Sequence, residues 1–157
     1  NKHFFSKVNI SNNNIFRIRG EEKPEIEASY YTELLKTKTE IIKNIPSLDL
    51  CLLGIGGDGH TASIFPHELK KLSDKSDCVV GINPDSGQKR VSLSIKQINN
   101  SKEVIFHVCG SGKKDVVDMI ISKRENYLDL PASHILPNSK NLSWYLDFDS
   151  AETFMGT

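Results

Sequence analysis

The stretch Leu48–Pro66 reads LDLCLLGIGGDGHTASIFP, and its reading decides the fold. Leu48–Leu53 is apolar apart from Asp49 and has the length and composition of a buried strand. Four glycines then fall within six positions, Gly54, Gly56, Gly57 and Gly59, and Asp58 and His60 stand among and just after them. The hydroxyls of Thr61 and Ser63 come next, and Phe65-Pro66 closes the segment. Glycine lets a ligand come close to the backbone. A buried strand running into a glycine-rich loop that presents an acid and an imidazole is how an open α/β sheet places a site at its carboxyl edge.

Upstream of this stretch, residues 3–8 (HFFSKV) read as the end of a helix and Asn9–Asn14 as a turn. Ile15–Ile18 alternates with period two and predicts a short strand ended by Gly20. Pro24–Asn44 is the clearest helix. Proline suits its first turn, Glu21, Glu22 and Glu25 favour the positive end, and Lys43 the other. Its expected packing face is Ile26, Tyr30, Leu34, Thr37 and Ile41, laid on the sheet, with Pro46 as the stop.

Downstream, the charged run HELKKLSDKSD predicts helix and loop on a solvated surface. Strands are predicted at Cys78–Ile82 and Arg90–Ile95, on either side of a turn at Asn83–Gly87. A further strand, Glu103–Cys109, ends in Gly110-Ser111-Gly112-Lys113, which opens an amphipathic helix reaching about Ser122. Trp144–Leu146 reads as a last buried strand. Strands alternating with helices, without a repeat or linker, predict one α/β domain with a largely parallel sheet.

A chain of 157 residues suffices for one domain with a core, and 38% hydrophobic with 25% charged residues is ordinary for a globular protein. Lys plus Arg and Asp plus Glu each number 20, so no net field recruits nucleic acid or an anionic membrane. Anion binding must then rest on a few placed residues. No run approaches a membrane span or a secretory signal. Cys51, Cys78 and Cys109 are odd in number and lack metal or redox spacing. Cys51 and Cys109 lie in apolar strand-like runs and read as buried core thiols, which suits a reducing cytoplasm.

His60 is the first candidate for chemistry, because an imidazole titrates near neutrality and can take a proton from water. Asp58, two residues away, can orient it, or else serve as a turn former beside glycine. The N–H groups of the glycine loop suit an oxyanion or phosphate. Gly54, Gly56 and Gly59 also fit the dinucleotide fingerprint G-x-G-x-x-G. That fingerprint needs a long helix next, which Phe65-Pro66 interrupts, and an acid closing the next strand, whereas Asp74 and Asp77 precede theirs. A nicotinamide site is disfavoured. Gly112-Lys113 resembles the end of a phosphate loop, but His107 stands where the first glycine belongs and Lys114 where the hydroxyl belongs. A lysine opening a helix after a glycine turn nonetheless suits a phosphomonoester. His3, His67, His107 and His134 show no metal-ligand spacing, and Ser111 lacks G-x-S-x-G. No metal, cofactor or serine nucleophile is expected.

The glycine stretch closely resembles the signature of the 6-phosphogluconolactonases, within the larger group that includes the glucosamine-6-phosphate deaminases. The lactonase pattern G-x-G-x-D-G-H-T-A-S-x-F-P is matched by Gly54, Gly56, Asp58, Gly59, His60, Thr61, Ala62, Ser63, Phe65 and Pro66. A weaker likeness runs from about Asn9 to Leu146. Arg90 matches the arginine opening an R-V-T-L-T strand, Lys113 the lysine of G-x-G-K, and Pro131–Leu136 the closing L-P-A-S segment. The resemblance implies a three-layer α/β/α fold with a Rossmann-like sheet, and hydrolysis of 6-phospho-D-glucono-1,5-lactone in the pentose phosphate pathway. His60 and Asp58 would be catalytic, while Gly54, Gly56, Gly57, Gly59, Arg90 and Lys113 would contact the phosphosugar lactone. On the residues alone, Arg90 reads equally as an exposed strand-edge charge.

The deaminase loop usually continues D-G-H-I-A-F-N-E-P, with a carboxylate just before the proline. Phe65 stands there instead, which favours the lactonase. A non-catalytic phosphosugar-binding module stays open, to be told apart by turnover. The family's amino-terminal S-G-G loop and D-E-R segment do not occur, and His67 replaces a glycine after F-P. On this resemblance, residues 1–157 are the carboxyl-terminal portion of a single lactonase domain, with the Leu48–Leu53 strand left at an open apolar edge. Alone, they are expected to associate and turn over slowly. Fusion to another pentose-phosphate enzyme is left open.

Overall fold

Pro24, whose missing N–H costs nothing in a first turn, starts helix α1 (Pro24–Lys38) in the computed structural model, which describes residues 4–73 and 75–155. The expectations attached to His3 and Asp74 lie outside the described residues. The helix ends six residues before the expected Asn44, where Thr39 donates its N–H and its hydroxyl to the Leu35 carbonyl at 3.0 and 2.8 Å. The chain then turns into a hairpin, β1 (Glu40–Ile42) and β2 (Ile45–Ser47), paired antiparallel. Lys43 and Asn44 turn it with φ of 52° and 64°, the left-handed pair that a two-residue hairpin requires. Pro46 therefore sits inside β2 and does not terminate a helix. Its carbonyl accepts the amides of Gln97 and Asn100 at 2.8 and 3.1 Å, which ties the hairpin to the core.

The central strand β3 (Cys51–Leu53) is shorter than Leu48–Leu53 but lies within the expected span. After the site loop and a 3-10 segment at Pro66–Ser73, β4 (Cys78–Ile82) and β5 (Lys89–Leu93) pair antiparallel, outside the parallel sheet. Their turn is held by Asn83 Oδ1, which accepts the N–H groups of Asp85 and Ser86 at 3.1 and 2.9 Å. The strand expected to reach Ile95 stops at Leu93 because Ser94 caps a short helix, α2 (Ile95–Asn99), accepting the Gln97 N–H at 3.1 Å. The alternating pattern of that segment gives no sign of this helix.

Helix α1 packs on the β4–β5 hairpin. Its buried stripe is Ala28 and Leu35 with half-buried Tyr31, against Cys78, Val80 and Val91. The expected face is wrong: Ile26 and Tyr30 are exposed, and so is Ile41, which belongs to β1 and not to the helix. The stripe at 28, 31 and 35 is disguised by alanine, a small residue, and by Glu27. That carboxylate is fully buried yet paired with the Arg19 guanidinium at 2.7 Å.

The chain goes on to form β6 (Val104–Val108), α3 (Lys114–Ile121), β7 (Leu142–Leu146) and the terminal turn of helix α4 (Glu152–Met155). The parallel α/β architecture expected from the sequence is present as a sheet of order β3–β6–β7, in the register Leu53↔Phe106↔Trp144. Cys51, Leu53, Val104, Phe106 and Val108 point to one face. There they meet Ile98 of α2, Val117 of α3 and Ile64 of the site loop. Burying each such side chain stabilises the fold by about 1.5–3 kcal/mol.

The opposite face carries Leu52, His107, Cys109 and Tyr145 in solvent, Leu52 at 65% exposure and Tyr145 at 60%. Among the described residues no strand pairs with the outer edge of β3. Cys109, expected in the core, is exposed because it shares the parity of Ile105 and His107. Cys51 is buried as expected, and burial pushes its thiol up to about 11. Ile15–Ile18 forms no strand; it runs beside α1, where Tyr31 donates its hydroxyl to the Phe16 carbonyl at 2.9 Å. Among the described residues no helix is long and apolar enough to cross a membrane.

The β4–β5 hairpin and the site loop touch at Gly81, where an added Cβ would lie 1.8 Å from the Ser63 carbonyl oxygen. Backbone cannot yield there as a side-chain tip can. Gly81→Ala is expected to destabilise the fold by about 1–3 kcal/mol, read as a lower urea midpoint. An unchanged midpoint would mean that the hairpin is not seated on the loop.

Candidate active site

The loop after β3 is closed at its neck by Thr61, fully buried, whose hydroxyl donates to the Gly54 carbonyl at 2.9 Å. Its far side is pinned by Ile64 and Phe65, both in the core. Inside this frame Gly56 donates its N–H to the His60 carbonyl at 2.8 Å, and Gly59 donates to the Gly56 carbonyl at 3.0 Å. Those two N–H groups are spent within the loop, so they cannot cradle an oxyanion. For the Gly57 N–H no acceptor stands opposite among the described residues, whereas the Asp58 N–H is turned to its own carboxylate.

This tight turn brings the two candidate catalytic groups together. Asp58 Oδ1 lies 2.6 Å from His60 Nδ1 and also accepts the His60 N–H at 3.2 Å. Burial would raise the Asp58 carboxyl, but these hydrogen bonds and the neighbouring imidazole outweigh it and hold the group below its ordinary value. An ionised carboxylate only accepts, so in the neutral imidazole the proton sits on Nδ1 and Nε2 keeps its lone pair. The ring rests against Phe65, centroids 4.8 Å apart, and its side chain is 31% exposed. An oriented imidazole with a free lone pair is equipped to act as a general base.

The closing L-P-A-S segment packs on the same loop. Ala132 donates its N–H to the Gly59 carbonyl at 3.0 Å, and a Cβ on Gly59 would lie 2.8 Å from Leu130. From the other side, a Cβ on Gly57 would meet the Gly112 carbonyl at 3.6 Å, so the Gly110–Lys113 turn flanks the glycine loop. Lys113 ends that turn, half-buried at the start of α3. Its neighbour Lys114 is engaged by Glu152 at 3.0 Å, whereas Lys113 has no carboxylate partner among the described residues. An uncommitted ammonium at a helix start suits a phosphate.

Arg90 is less closely placed. It lies on β5 opposite Gly81, exposed, with its Nε donating to Gln88 Oε1 at 3.3 Å. Period two puts it on the strand face of Ser92, whose hydroxyl accepts the Ser63 N–H at 3.0 Å. The face is therefore the one turned to the site loop, but among the described residues no hydrogen bond joins Arg90 to His60 or Lys113. Gly54 has open space where a Cβ would stand. A cleft of about 450 Å³ runs from Leu52 past Gly54 to His60, Ala62 and Leu93, alongside the open edge of β3. Among the described residues no group of three or more His, Cys, Asp or Glu could hold a metal ion. Sequence reasoning misses the Ser92–Ser63 bond and the contacts of Asp147 with Gly110 at 2.8 and 3.1 Å. Neither Ser92 nor Asp147 carries a local motif that marks these roles.

Comparison with known proteins matches this arrangement. Residues 1–144 fit the family described as glucosamine-6-phosphate isomerases/6-phosphogluconolactonase. A 6-phosphogluconolactonase of Treponema pallidum is 40% identical over 115 residues, covering 73% of this chain and 48% of that protein. The human GDH/6PGL endoplasmic bifunctional protein is 38% identical over 104 residues, 66% of this chain and 13% of that protein. A crystal structure of the devB protein superposes with a TM-score of 0.89 at 38% identity, over 95% of this chain and 62% of that one. The chain thus spans about half to under two thirds of the single-function relative and the solved structure it matches. With its glycine loop, its acid–imidazole pair and its parallel sheet accounted for, the chain belongs to the glucosamine-6-phosphate isomerase/6-phosphogluconolactonase family.

Proposed function

We propose that this chain acts in the hydrolysis of 6-phospho-D-glucono-1,5-lactone to 6-phosphogluconate, in the pentose phosphate pathway and in the cytoplasm. The observation that carries this reading is the His60–Asp58 pair at 2.6 Å, flanked by a lysine turn whose ammonium is uncommitted. His60 Nε2 takes a proton from water as the water oxygen attacks the lactone carbonyl carbon. The N–H group of Gly57 faces the tetrahedral oxyanion. Collapse of that intermediate breaks the bond from the carbonyl carbon to the ring oxygen, which leaves with the proton held on His60. Asp58 keeps the imidazole in the productive tautomer and stabilises the imidazolium. Lys113 holds the 6-phosphate, with Arg90 as its second cation. The lactone is already an activated ester, so the scheme needs no cofactor.

The 157 residues act as the carboxyl-terminal portion of one such domain. The edge of β3 that no strand pairs among the described residues, and the share of each relative that is matched, are what a portion of a longer domain would give. A second pentose-phosphate enzyme is the partner suggested by the bifunctional human relative.

Lys113→Ala tests the substrate. It is expected to weaken 6-phosphogluconolactone by roughly tenfold or more in kcat/KM and to leave unphosphorylated gluconolactone nearly unchanged, since only the former loses a charge-assisted contact. Equal losses on both lactones would mean a structural lysine. Binding of the phosphorylated lactone without turnover above the spontaneous rate would mean a sensing module.

A further inference from the structure

Asp147 lies just past β7, beyond the family match that ends at residue 144 and outside the glycine, arginine and lysine motifs. Its carboxylate is not idle. Oδ2 and Oδ1 accept the Gly110 N–H at 2.8 and 3.1 Å, and Oδ1 also accepts the Ser150 N–H at 2.9 Å. Ser150, fully buried, donates its hydroxyl to the Val108 carbonyl at 3.2 Å, and Asp147 donates its own N–H to the same carbonyl at 3.3 Å. The segment 147–150 is thereby bolted to the last residues of β6. Hydrogen bonding from Ser150 first, then from Gly110, holds the carboxyl below its ordinary value, so it is anionic at neutral pH.

Gly110 is the residue at which the chain leaves β6, with φ of 96°, a conformation that a side chain resists. The turn it begins is short: Lys113 donates its N–H to the Gly110 carbonyl at 3.1 Å and ends the turn. The Gly110 N–H held by Asp147 and the Gly110 carbonyl that receives the Lys113 N–H flank one α-carbon, so fixing the first restrains the turn that carries Lys113. The same turn is the one that meets Gly57 through the Gly112 carbonyl. One residue beyond, Lys114 is tied to Glu152 of α4, so the same terminal segment grips the turn at both ends.

We propose that Asp147 is the positioning residue for the phosphate-binding lysine: its carboxylate fixes the Gly110 peptide and thereby holds Lys113 toward the 6-phosphate. This inference rests on the lactonase reading and deepens it. It predicts an effect on phosphate recognition and not on the chemistry at His60.

Asp147→Ala is expected to raise KM for 6-phosphogluconolactone by about tenfold, the scale of one charge-assisted hydrogen bond. Its kcat, and hydrolysis of unphosphorylated gluconolactone, should stay within about twofold. Asp147→Asn keeps one acceptor oxygen for Gly110 and Ser150 and should fall between the alanine variant and the parent. If the alanine variant fails to fold, the asparagine variant carries the test by the same split between KM and kcat. An unchanged KM, or equal losses on both lactones, overturns the proposal. The two readings fail separately. If Lys113→Ala does not discriminate between the lactones, the phosphate reading falls. If Lys113→Ala discriminates and Asp147 substitutions do not, only the positioning role falls.

Discussion

His60→Asn is expected to slow lactone hydrolysis by on the order of 10²–10⁴, the share usually supplied by a positioned general base, while leaving the fold intact. The fold should survive because the ring is partly in solvent and its main packing contact is one tilted face against Phe65. Asparagine keeps a polar side chain beside Asp58 but offers no lone pair that accepts a proton near neutrality. Rates must be taken above the spontaneous hydrolysis of the lactone, with thermal unfolding measured alongside. Activity within a few-fold of the parent would remove His60 from the mechanism.

Gly56→Ala should be nearly as damaging, although it deletes no functional group. A Cβ at that position would stand 2.1 Å from His60 Nδ1 and 2.4 Å from Asp58 Oδ1, inside the hydrogen bond that aligns them. The imidazole has to swing aside, and the pair at 2.6 Å is lost. Loss of rate on the order of 10² or more is expected, since misplacement by about 1 Å already costs this much. The decisive control is the double variant. His60→Asn combined with Gly56→Ala should be little slower than His60→Asn alone, because both changes disable one unit. Fully additive losses would show that Gly56 matters for something other than the imidazole.

The site is more legible in the sequence than the fold around it. From Gly54 to Pro66 each chemical role depends on neighbours a few residues apart, and such spacing survives in a linear reading. A separation of two suggests the pairing of Asp58 with His60, and the structure joins them directly. A glycine turn and a helix start single out Lys113, and its turn does flank the loop. Arg90 stands out only through a motif, and its strand faces the loop without a hydrogen bond to it.

The misreadings share a cause. Ile41 and Ile42 continue a helical spacing past the end of α1, while the competing signal is two residues, Lys43 and Asn44, adopting left-handed backbone. Helix α2 is hidden because Ser94 reads as the next alternating residue of a strand when it is a cap. The apolar strand-like run around it assigns Cys109 to the core. Its exposure arises from strand parity combined with a bare sheet face, and only the second of these is beyond the reach of sequence.

That bare face has a chemical consequence. Thiol reactivity depends on the thiolate population and access to it. Burial pushes up both Cys51 and Cys78, whereas Cys109 stands in solvent. An electrophile in solution therefore meets one thiol out of three, placed one residue before Gly110 on the uncovered side of the sheet. Any polypeptide that comes to lie on this face must shield that sulfur. The rate at which Cys109 is alkylated is thus a built-in gauge of whether the sheet is bare or clothed.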